Sequence, residues 1–167
     1  QRVAVKRNAS FPLRWESRFC RAGGNDGAFS ANLIPMKKIL KKVLVLGGTG
    51  FVGRHVCEKL VRLNICVTVP TRRRSNAQGI QSLPMLDVLE ANIHDPAALA
   101  ALVAGHDAVV NLIAILHVDE AAFERAHVEL PKKLAAACLQ TGVKRIVHVS
   151  ALGASLDAPS MYQRSKA

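Results

Sequence analysis

The apolar residues of this chain form short runs that alternate with segments of helical spacing. Five runs rich in β-branched residues and leucine predict strands, at residues 43–46, 65–69, 85–91, 107–115 and 144–150. Pro70 is expected to end the second of these strands. Strands that alternate with helices in units of about 25 residues favour parallel βαβ crossovers of right-handed sense. The pattern therefore predicts an α/β fold built on an open parallel sheet.

Three helices are predicted between these strands. The first begins at Phe51 and repeats apolar residues at steps of four, four and three, which predicts one buried face formed by Val52, Val56, Leu60 and Leu63. The second begins where Asp95 caps Pro96 and runs to about Ala104. The third spans about 120–140, ends at Gly142, and is expected to bend at Pro131.

A glycine-rich turn joins the first strand to the first helix. The stretch VLVLGGTGFVGRHV, residues 43–56, places Gly47, Gly50 and Gly53 in the pattern G-x-x-G-x-x-G. The first glycine permits a tight turn, the second lets a diphosphate approach the backbone, and the third allows close helix–strand packing. Free N–H groups at the helix start attract phosphates. We therefore predict a dinucleotide site that also includes Thr49, Phe51, Val52 and Arg54.

The residues after the second strand bear on the choice of cofactor. NAD sites usually place an acid there to hold the ribose 2′-hydroxyl, whereas this chain has Thr71 followed by Arg72, Arg73 and Arg74. A guanidinium pairs with a 2′-phosphate that an acid would repel. The sequence thus favours NADP(H) over NAD(H), with Arg72 the first candidate and Arg54 or Arg73 as helpers; a solvated basic loop is the alternative.

Three further residues are expected near the cofactor. Asn111 is an amide within an apolar strand and needs hydrogen-bond partners, so it either contacts the cofactor or ties neighbouring loops together. Asn92 and Ile93 follow the third strand and are expected to flank the adenine.

The stretch YQRSK places Tyr162 and Lys166 four residues apart, on one face of a helix. A tyrosine is a poor acid–base group at neutral pH, and a nearby ammonium favours its phenolate. The hydroxyl of Ser150 or Ser155 is a candidate for orienting a substrate carbonyl. The pair also occurs by chance on solvated helices, but its place after the fifth strand of a dinucleotide fold favours catalysis.

The charge of the chain is unevenly distributed. The net charge is +11, yet residues 1–42 carry ten basic and two acidic side chains, whereas residues 43–167 carry thirteen and ten. The nearly balanced second part argues against nucleic acid as a partner. No apolar run is long enough to span a bilayer, no histidine spacing suggests a metal site, and four scattered cysteines suggest reduced thiols.

The two ends predict how the chain is organised. Residues 1–35 lack periodicity and are basic, which favours either a disordered, non-native extension upstream of a start at Met36 or a transit peptide. Residues 36–167 are expected to form one nucleotide-binding domain, truncated on its C-terminal side because Ala167 follows a candidate catalytic lysine. A bacterial cytoplasmic location is the first expectation, and the mitochondrial matrix is the alternative if the basic segment is a transit peptide.

The motifs GGTGFVG, VPTRR, NLIAI, HVSALGA and YQRSK, in this order, resemble the short-chain dehydrogenase/reductase superfamily. The sequence is most similar to the extended, NAD-dependent epimerase/dehydratase-like branch, and particularly to the NADPH-binding accessory subunits of respiratory complex I and their bacterial relatives. The resemblance spans about residues 42–167 and implies a Rossmann-type, doubly wound parallel sheet. It also implies that Tyr162 and Lys166 occupy catalytic positions.

Two departures from the superfamily pattern leave the function open. Ser150 is followed by Ala151 rather than by a second serine, and only twelve residues separate Ser150 from Tyr162. The first hypothesis is an NADP(H)-dependent oxidoreductase, epimerase or dehydratase acting on an unknown small molecule. The second is a non-catalytic nucleotide-binding subunit or assembly factor associated with a respiratory complex, and the third is a redox-sensing regulator.

Overall fold

Five parallel strands form a single sheet in the order β3-β2-β1-β4-β5. They are β1 (Lys42–Leu46), β2 (Cys66–Thr71), β3 (Leu86–Glu90), β4 (Ala108–Asn111) and β5 (Ile146–His148). The structure is a computed structural model that describes residues 40–116 and 119–167. The predictions for residues 1–35 and for a start at Met36 lie outside these described residues.

The chain begins in the middle of the sheet, moves outward to β3 and then returns to the other side of β1. Residues Val43 to Leu46 of β1 are buried because strands on both sides and helices on both faces cover them. The predicted doubly wound α/β fold is therefore confirmed. The order of the strands along the sheet reverses between β1 and β4, and sheets of this kind bind ligands at the carboxyl ends of the strands that flank such a point.

Helices cover both faces of the sheet. Helix α1 (Phe51–Arg62) and a 3₁₀ turn (Arg74–Ala77) pack on one face. The other face carries α2 (Pro96–Val103) and α4 (Leu130–Thr141). A short helix α3 (Glu120–Phe123) precedes a π turn (Glu124–Glu129), and α5 (Met161–Ser165) lies near the end of the chain.

The buried face of α1 differs from the predicted one. The structure buries Gly53, Cys57 and Val61, whereas Val52 is 51% exposed and Leu63 is 70% exposed. The predicted stripe steps by four, four and three and the buried stripe by four and four, so apolar spacing alone does not separate them. Close packing of Gly53 against the turn fixes the rotation of the helix and brings its own stripe to the sheet.

Three other boundaries differ from the sequence predictions. Strand β2 continues through Pro70. The N–H groups of its even-numbered residues face β1, as the bond from Cys66 N–H to Lys41 O shows. Because pairing with β1 ends at Thr68, a proline at position 70 breaks no hydrogen bond between the strands. Strand β4 ends at Asn111, and β5 contains only Ile146–His148. The predicted bend near Pro131 is a π turn in which Leu130 N–H bonds to Arg125 O, five residues back.

The helix boundaries at residues 95 and 142 agree with the predictions. The Asp95 carboxylate accepts the N–H groups of Ala97 at 3.1 Å and Ala98 at 3.4 Å, and Gly142 ends α4 with a left-handed backbone. Within residues 40–116 and 119–167, no helix has the length and apolar character needed to cross a membrane.

Candidate functional site

The glycine-rich turn lies at the carboxyl end of β1. Gly47 has a φ of +78°, and its carbonyl accepts the N–H of Gly50 at 3.1 Å, which closes the turn. A Cβ on Gly53 would meet the carbonyl oxygen of Gly47 and approach the Cα of Gly48 to 2.6 Å. The start of α1 therefore packs directly on the turn without any side chain between them.

The start of α1 is open toward solvent and has no negative charge. Gly50 is exposed, and a Cβ placed on it would meet nothing within 4 Å except Gly47 O at 3.3 Å. No side chain caps the helix and no acidic residue lies in its first turn. The N–H groups of a first helical turn lack intrahelical acceptors and carry positive dipole. This end of the sheet therefore fits a diphosphate.

The arginines near the end of β2 have different environments. Arg74 is engaged with β3, because its side chain donates to Val88 O at 3.0 Å and its N–H donates to the Glu90 carboxylate at 3.3 Å. Arg72 and Arg73 are exposed, and their guanidinium groups make no hydrogen bond or ion pair within the described part of the chain, although the Arg73 carbonyl accepts the hydroxyl of Thr71 at 3.0 Å. The side chain of Arg54 extends from α1 to Gly79, where a Cβ would lie 3.1 Å from Arg54 Cδ.

Lys166 connects the candidate catalytic helix to the edge of the sheet. Its side chain is buried, and Nζ donates to Ile113 O at 2.8 Å and Val149 O at 3.4 Å, just beyond β4 and β5. Burial lowers the pKa of Lys166 to about 8. The same loop after β4 touches the glycine turn, since a Cβ on Gly47 would lie 3.3 Å from Ile113 N. The glycine turn and Lys166 thus contact the same residue of this loop.

Tyr162 lies in α5, packed among aromatic rings. Its ring centroid is 5.5 Å from that of His127, edge-on at 79°, and 6.3 Å from that of Phe123. Its hydroxyl makes no hydrogen bond with a described residue. The phenol oxygen is therefore available to a ligand at the same edge of the sheet.

The comparisons with known proteins agree with this geometry. A model of the family described as NAD(P)H-binding matches residues 47–167, most of the chain. The chain belongs to the NAD(P)H-binding family. This assignment supports a nicotinamide nucleotide as its cofactor.

This NAD(P)H-binding chain is also similar in sequence to individual known proteins. It is 34% identical over 128 residues to "NADH dehydrogenase [ubiquinone] 1 alpha subcomplex subunit 9, mitochondrial" of Mus musculus, covering 74% of this chain and 34% of that protein. It is 30% identical over 127 residues to the "4-hydroxy-2-methyl-3-oxo-4-farnesyl-3,4-dihydroquinoline-1-oxide ketoreductase" of Stigmatella aurantiaca, covering 73% and 37%. The chain spans about a third of the length of these relatives.

A solved structure shares the fold of this NAD(P)H-binding chain. The UDP-Glc/GlcNAc 4-epimerase of Campylobacter jejuni superposes with a TM-score of 0.67 at 20% identity, covering 75% of this chain and 46% of that one. The likeness to the mouse protein confirms the resemblance to complex I subunits, and the likeness to the epimerase confirms the Rossmann-type fold.

Several predicted site residues serve the protein's own structure. Asn111 is buried; its Oδ1 accepts the N–H of Ile113 at 3.2 Å and its Nδ2 lies 3.0 Å from His148 Nδ1, so it ties β4 to β5. Asn92 Oδ1 accepts the N–H of His94 at 3.1 Å, and Ile93 packs against the core. Their predicted contacts with the cofactor stay predictions.

The two candidate serines are also engaged. Ser150 Oγ donates to the backbone carbonyl of Lys166 at 2.8 Å and so fixes the end of α5. Ser155 Oγ accepts the N–H of Asp157 at 3.3 Å, within its own loop. Neither hydroxyl is paired with Tyr162, and a role in orienting a substrate carbonyl stays a prediction.

Two residues that matter here were not singled out by the sequence patterns. A Cβ on Gly48 would lie 2.8 Å from both methyl groups of Val69, so Gly48 allows β1 and β2 to pack. Both ring nitrogens of His127 are hydrogen-bonded near Tyr162. The doubled glycine in the sequence is a signal for the role of Gly48, whereas no local pattern signals the role of His127.

The burial of Lys166 makes the stability of the fold depend on alkaline pH. Its pKa is about 8 in the folded chain and 10.5 ordinarily, so between these values the unfolded chain binds the proton more tightly. Unfolding then takes up a proton, and stability rises with pH. Relative to Lys166→Met, the wild type is expected to gain about 3 kcal/mol of unfolding free energy between pH 8 and 10.5. Urea unfolding of both proteins at several pH values measures this difference; a constant difference would contradict it.

Proposed function

We propose that this chain binds NADP(H) at the turn formed by Gly47–Arg54 and that Tyr162 and Lys166 form an acid–base pair of an oxidoreductase, epimerase or dehydratase. The observation that carries the proposal is the loop after β4. Gly47 packs against this loop at Ile113, and Lys166 donates to the carbonyl of the same residue. A dinucleotide whose diphosphate lies on the turn would then extend its nicotinamide end toward Tyr162.

The preference for the 2′-phosphate is supported by unpaired positive charge. The guanidinium groups of Arg72 and Arg73 have no partner among the described residues, and the side chain of Arg54 extends toward the same loop. The carboxylate of Glu90, at the end of β3, accepts the N–H of Arg74. A guanidinium free of internal partners pairs with phosphate without first breaking a protein contact.

The proposed chemistry assigns the protein's residues two tasks. The nucleotide, when bound, supplies a hydride donor or acceptor. Tyr162 transfers a proton to or from the substrate through its hydroxyl, which has no hydrogen bond within the described part of the chain. Lys166 holds a positive charge at the carbonyls of Ile113 and Val149, where burial and these bonds fix its position. Because the pKa of Lys166 is about 8, it is mostly protonated at neutral pH.

The 2′-phosphate preference is tested with Arg72→Ala. We expect the Kd for NADPH to rise about 10- to 100-fold, because a charge-assisted bond to phosphate is lost, while the Kd for NADH changes less than about threefold. Isothermal titration calorimetry with both nucleotides measures this. The control is Arg62→Ala, which removes the same charge at the far end of α1. Equal weakening of both nucleotides by Arg72→Ala would remove the 2′-phosphate site.

A second candidate function is that of a non-catalytic nucleotide-binding subunit or assembly factor associated with a respiratory complex. It is favoured by the likeness to the mouse NADH dehydrogenase subunit and by the bond from Ser150 to the Lys166 carbonyl, because the Ser150 hydroxyl is then not paired with that of Tyr162. In that case nucleotide binding persists without turnover. The mitochondrial matrix or a bacterial cytoplasm would be the corresponding location.

A further inference from the structure

We propose that His127 is a positioning residue for the Tyr162–Lys166 pair: its imidazole, held in the π turn, joins the loop after β4 to helix α5. This inference rests on the proposed function for its catalytic consequence. The hydrogen bonds that carry it are properties of the folded chain and are measurable without nucleotide or substrate.

The contacts of His127 define one tautomer. Nε2 lies 3.1 Å from Ile115 N and accepts its N–H, so this nitrogen carries no hydrogen. Nδ1 lies 2.8 Å from Ser165 Oγ, and that hydroxyl donates its hydrogen to Tyr162 O at 2.8 Å. Since the serine hydrogen is committed, Nδ1–H donates to Ser165. The imidazole is thus neutral, with both nitrogens in use.

Burial, aided by charged neighbours, keeps this imidazole neutral. The titratable side chains facing His127 are Lys166 at the end of α5, His148 on β5 and Tyr162 on α5. Burial, followed by the charges that Lys166 and His148 carry when protonated, lowers the pKa of His127 to about 4. Protonation at Nε2 would also direct an N–H at the N–H of Ile115. His127 therefore acts as a fixed hydrogen-bonding group and not as a proton carrier near neutral pH.

The bonds made by His127 and Lys166 hold helix α5 against the loop after β4. His127 holds the N–H of Ile115, while Lys166 holds the carbonyl of Ile113, two residues earlier on the same loop. The ring of His127 also packs against Phe123 at 5.3 Å and against Tyr162 at 5.5 Å. Loss of the Ile115 bond would free one end of the short segment that receives Lys166.

Two variants test the hydrogen bonds of the two ring nitrogens separately. His127→Gln places an amide oxygen where Nε2 accepts Ile115, and His127→Asn places an amide N–H where Nδ1 donates to Ser165. We expect the Ile115 amide hydrogen to exchange at least about tenfold faster in His127→Asn than in the wild type, and near the wild-type rate in His127→Gln. Hydrogen exchange by NMR on the full chain measures both rates.

A second readout follows Lys166 itself. In His127→Phe, which keeps an aromatic ring but removes both bonds, we expect the pKa of Lys166 to rise from about 8 toward 10.5 as the loop loosens and water enters. NMR of the lysine side chains, assigned with Lys166→Met, records this titration. We also expect kcat to fall at least about tenfold with little change in the Kd for NADPH.

The control is His106→Phe, at the opposite end of the sheet. His106 is also a buried histidine, bonded through Nε2 to Thr68 Oγ1 at 2.9 Å, and its loss should lower stability alone. The inference is overturned if the Ile115 amide hydrogen exchanges at the same rate in His127→Asn and His127→Gln. It is also overturned if His127→Phe shifts the pKa of Lys166 no more than His106→Phe does. If no nicotinamide nucleotide binds the wild type, the proposed function fails, while the exchange and titration results still decide the role of His127.

Discussion

Gly53→Ala is expected to lower the unfolding free energy by about 3 kcal/mol or more, because the added methyl would overlap backbone that cannot move away. The Cβ would meet the Gly47 carbonyl and lie 2.6 Å from the Cα of Gly48, both in the turn that joins β1 to α1. Thermal unfolding followed by circular dichroism measures the loss.

Gly50→Ala is the matched control for this substitution. Its Cβ would meet only Gly47 O, at 3.3 Å, and the φ of −76° at Gly50 suits any L residue. We expect its stability to change by less than about 1 kcal/mol while nucleotide affinity falls, since the methyl occupies the approach of the diphosphate. Equal stability of the two variants would contradict the packing assigned to Gly53.

Tyr162→Phe is expected to reduce turnover about 1,000-fold if the acid–base proposal holds, because it removes the proton-transferring oxygen and leaves the ring contacts with Phe123 and His127 in place. Nucleotide affinity should be unchanged. The assay follows NADPH absorbance with a panel of ketones, aldehydes and nucleotide sugars, using any substrate that the wild type converts.

Ser150→Ala is the comparison for the tyrosine variant. Its hydroxyl donates to the Lys166 carbonyl, so we expect a smaller loss, caused by a loosened end of α5. If the wild type binds nucleotide but converts no substrate, or if Tyr162→Phe turns over at the wild-type rate, the acid–base role is rejected. The first result would favour the non-catalytic subunit.

The sequence predicted the features that short-range chemistry determines. The cap formed by Asp95, the end of α4 at Gly142 and the place of the glycine turn each depend on a few adjacent residues. The succession of strands and helices, combined with the right-handed crossover rule, was sufficient for the α/β topology.

The features that were missed depend on contacts that hydrophobic spacing does not record. The rotation of α1 is set by the fit of Gly53 to the turn, which a hydrophobic pattern does not contain because glycine is not counted as apolar. The bond from Ser150 reaches sixteen residues along the chain, and the bonds of His127 reach twelve and thirty-eight. Spacing in sequence carries no signal for such pairs, so the candidate residues were found more readily than their partners.

The attachment of Lys166 to main-chain oxygens has a consequence for how this protein can diversify. Its ammonium is held by the carbonyls of Ile113 and Val149, atoms that every amino acid possesses. Replacing either side chain leaves those oxygens in the polypeptide. Libraries randomised at positions 113 and 149 can therefore remodel the walls beside the lysine while retaining the groups that orient it.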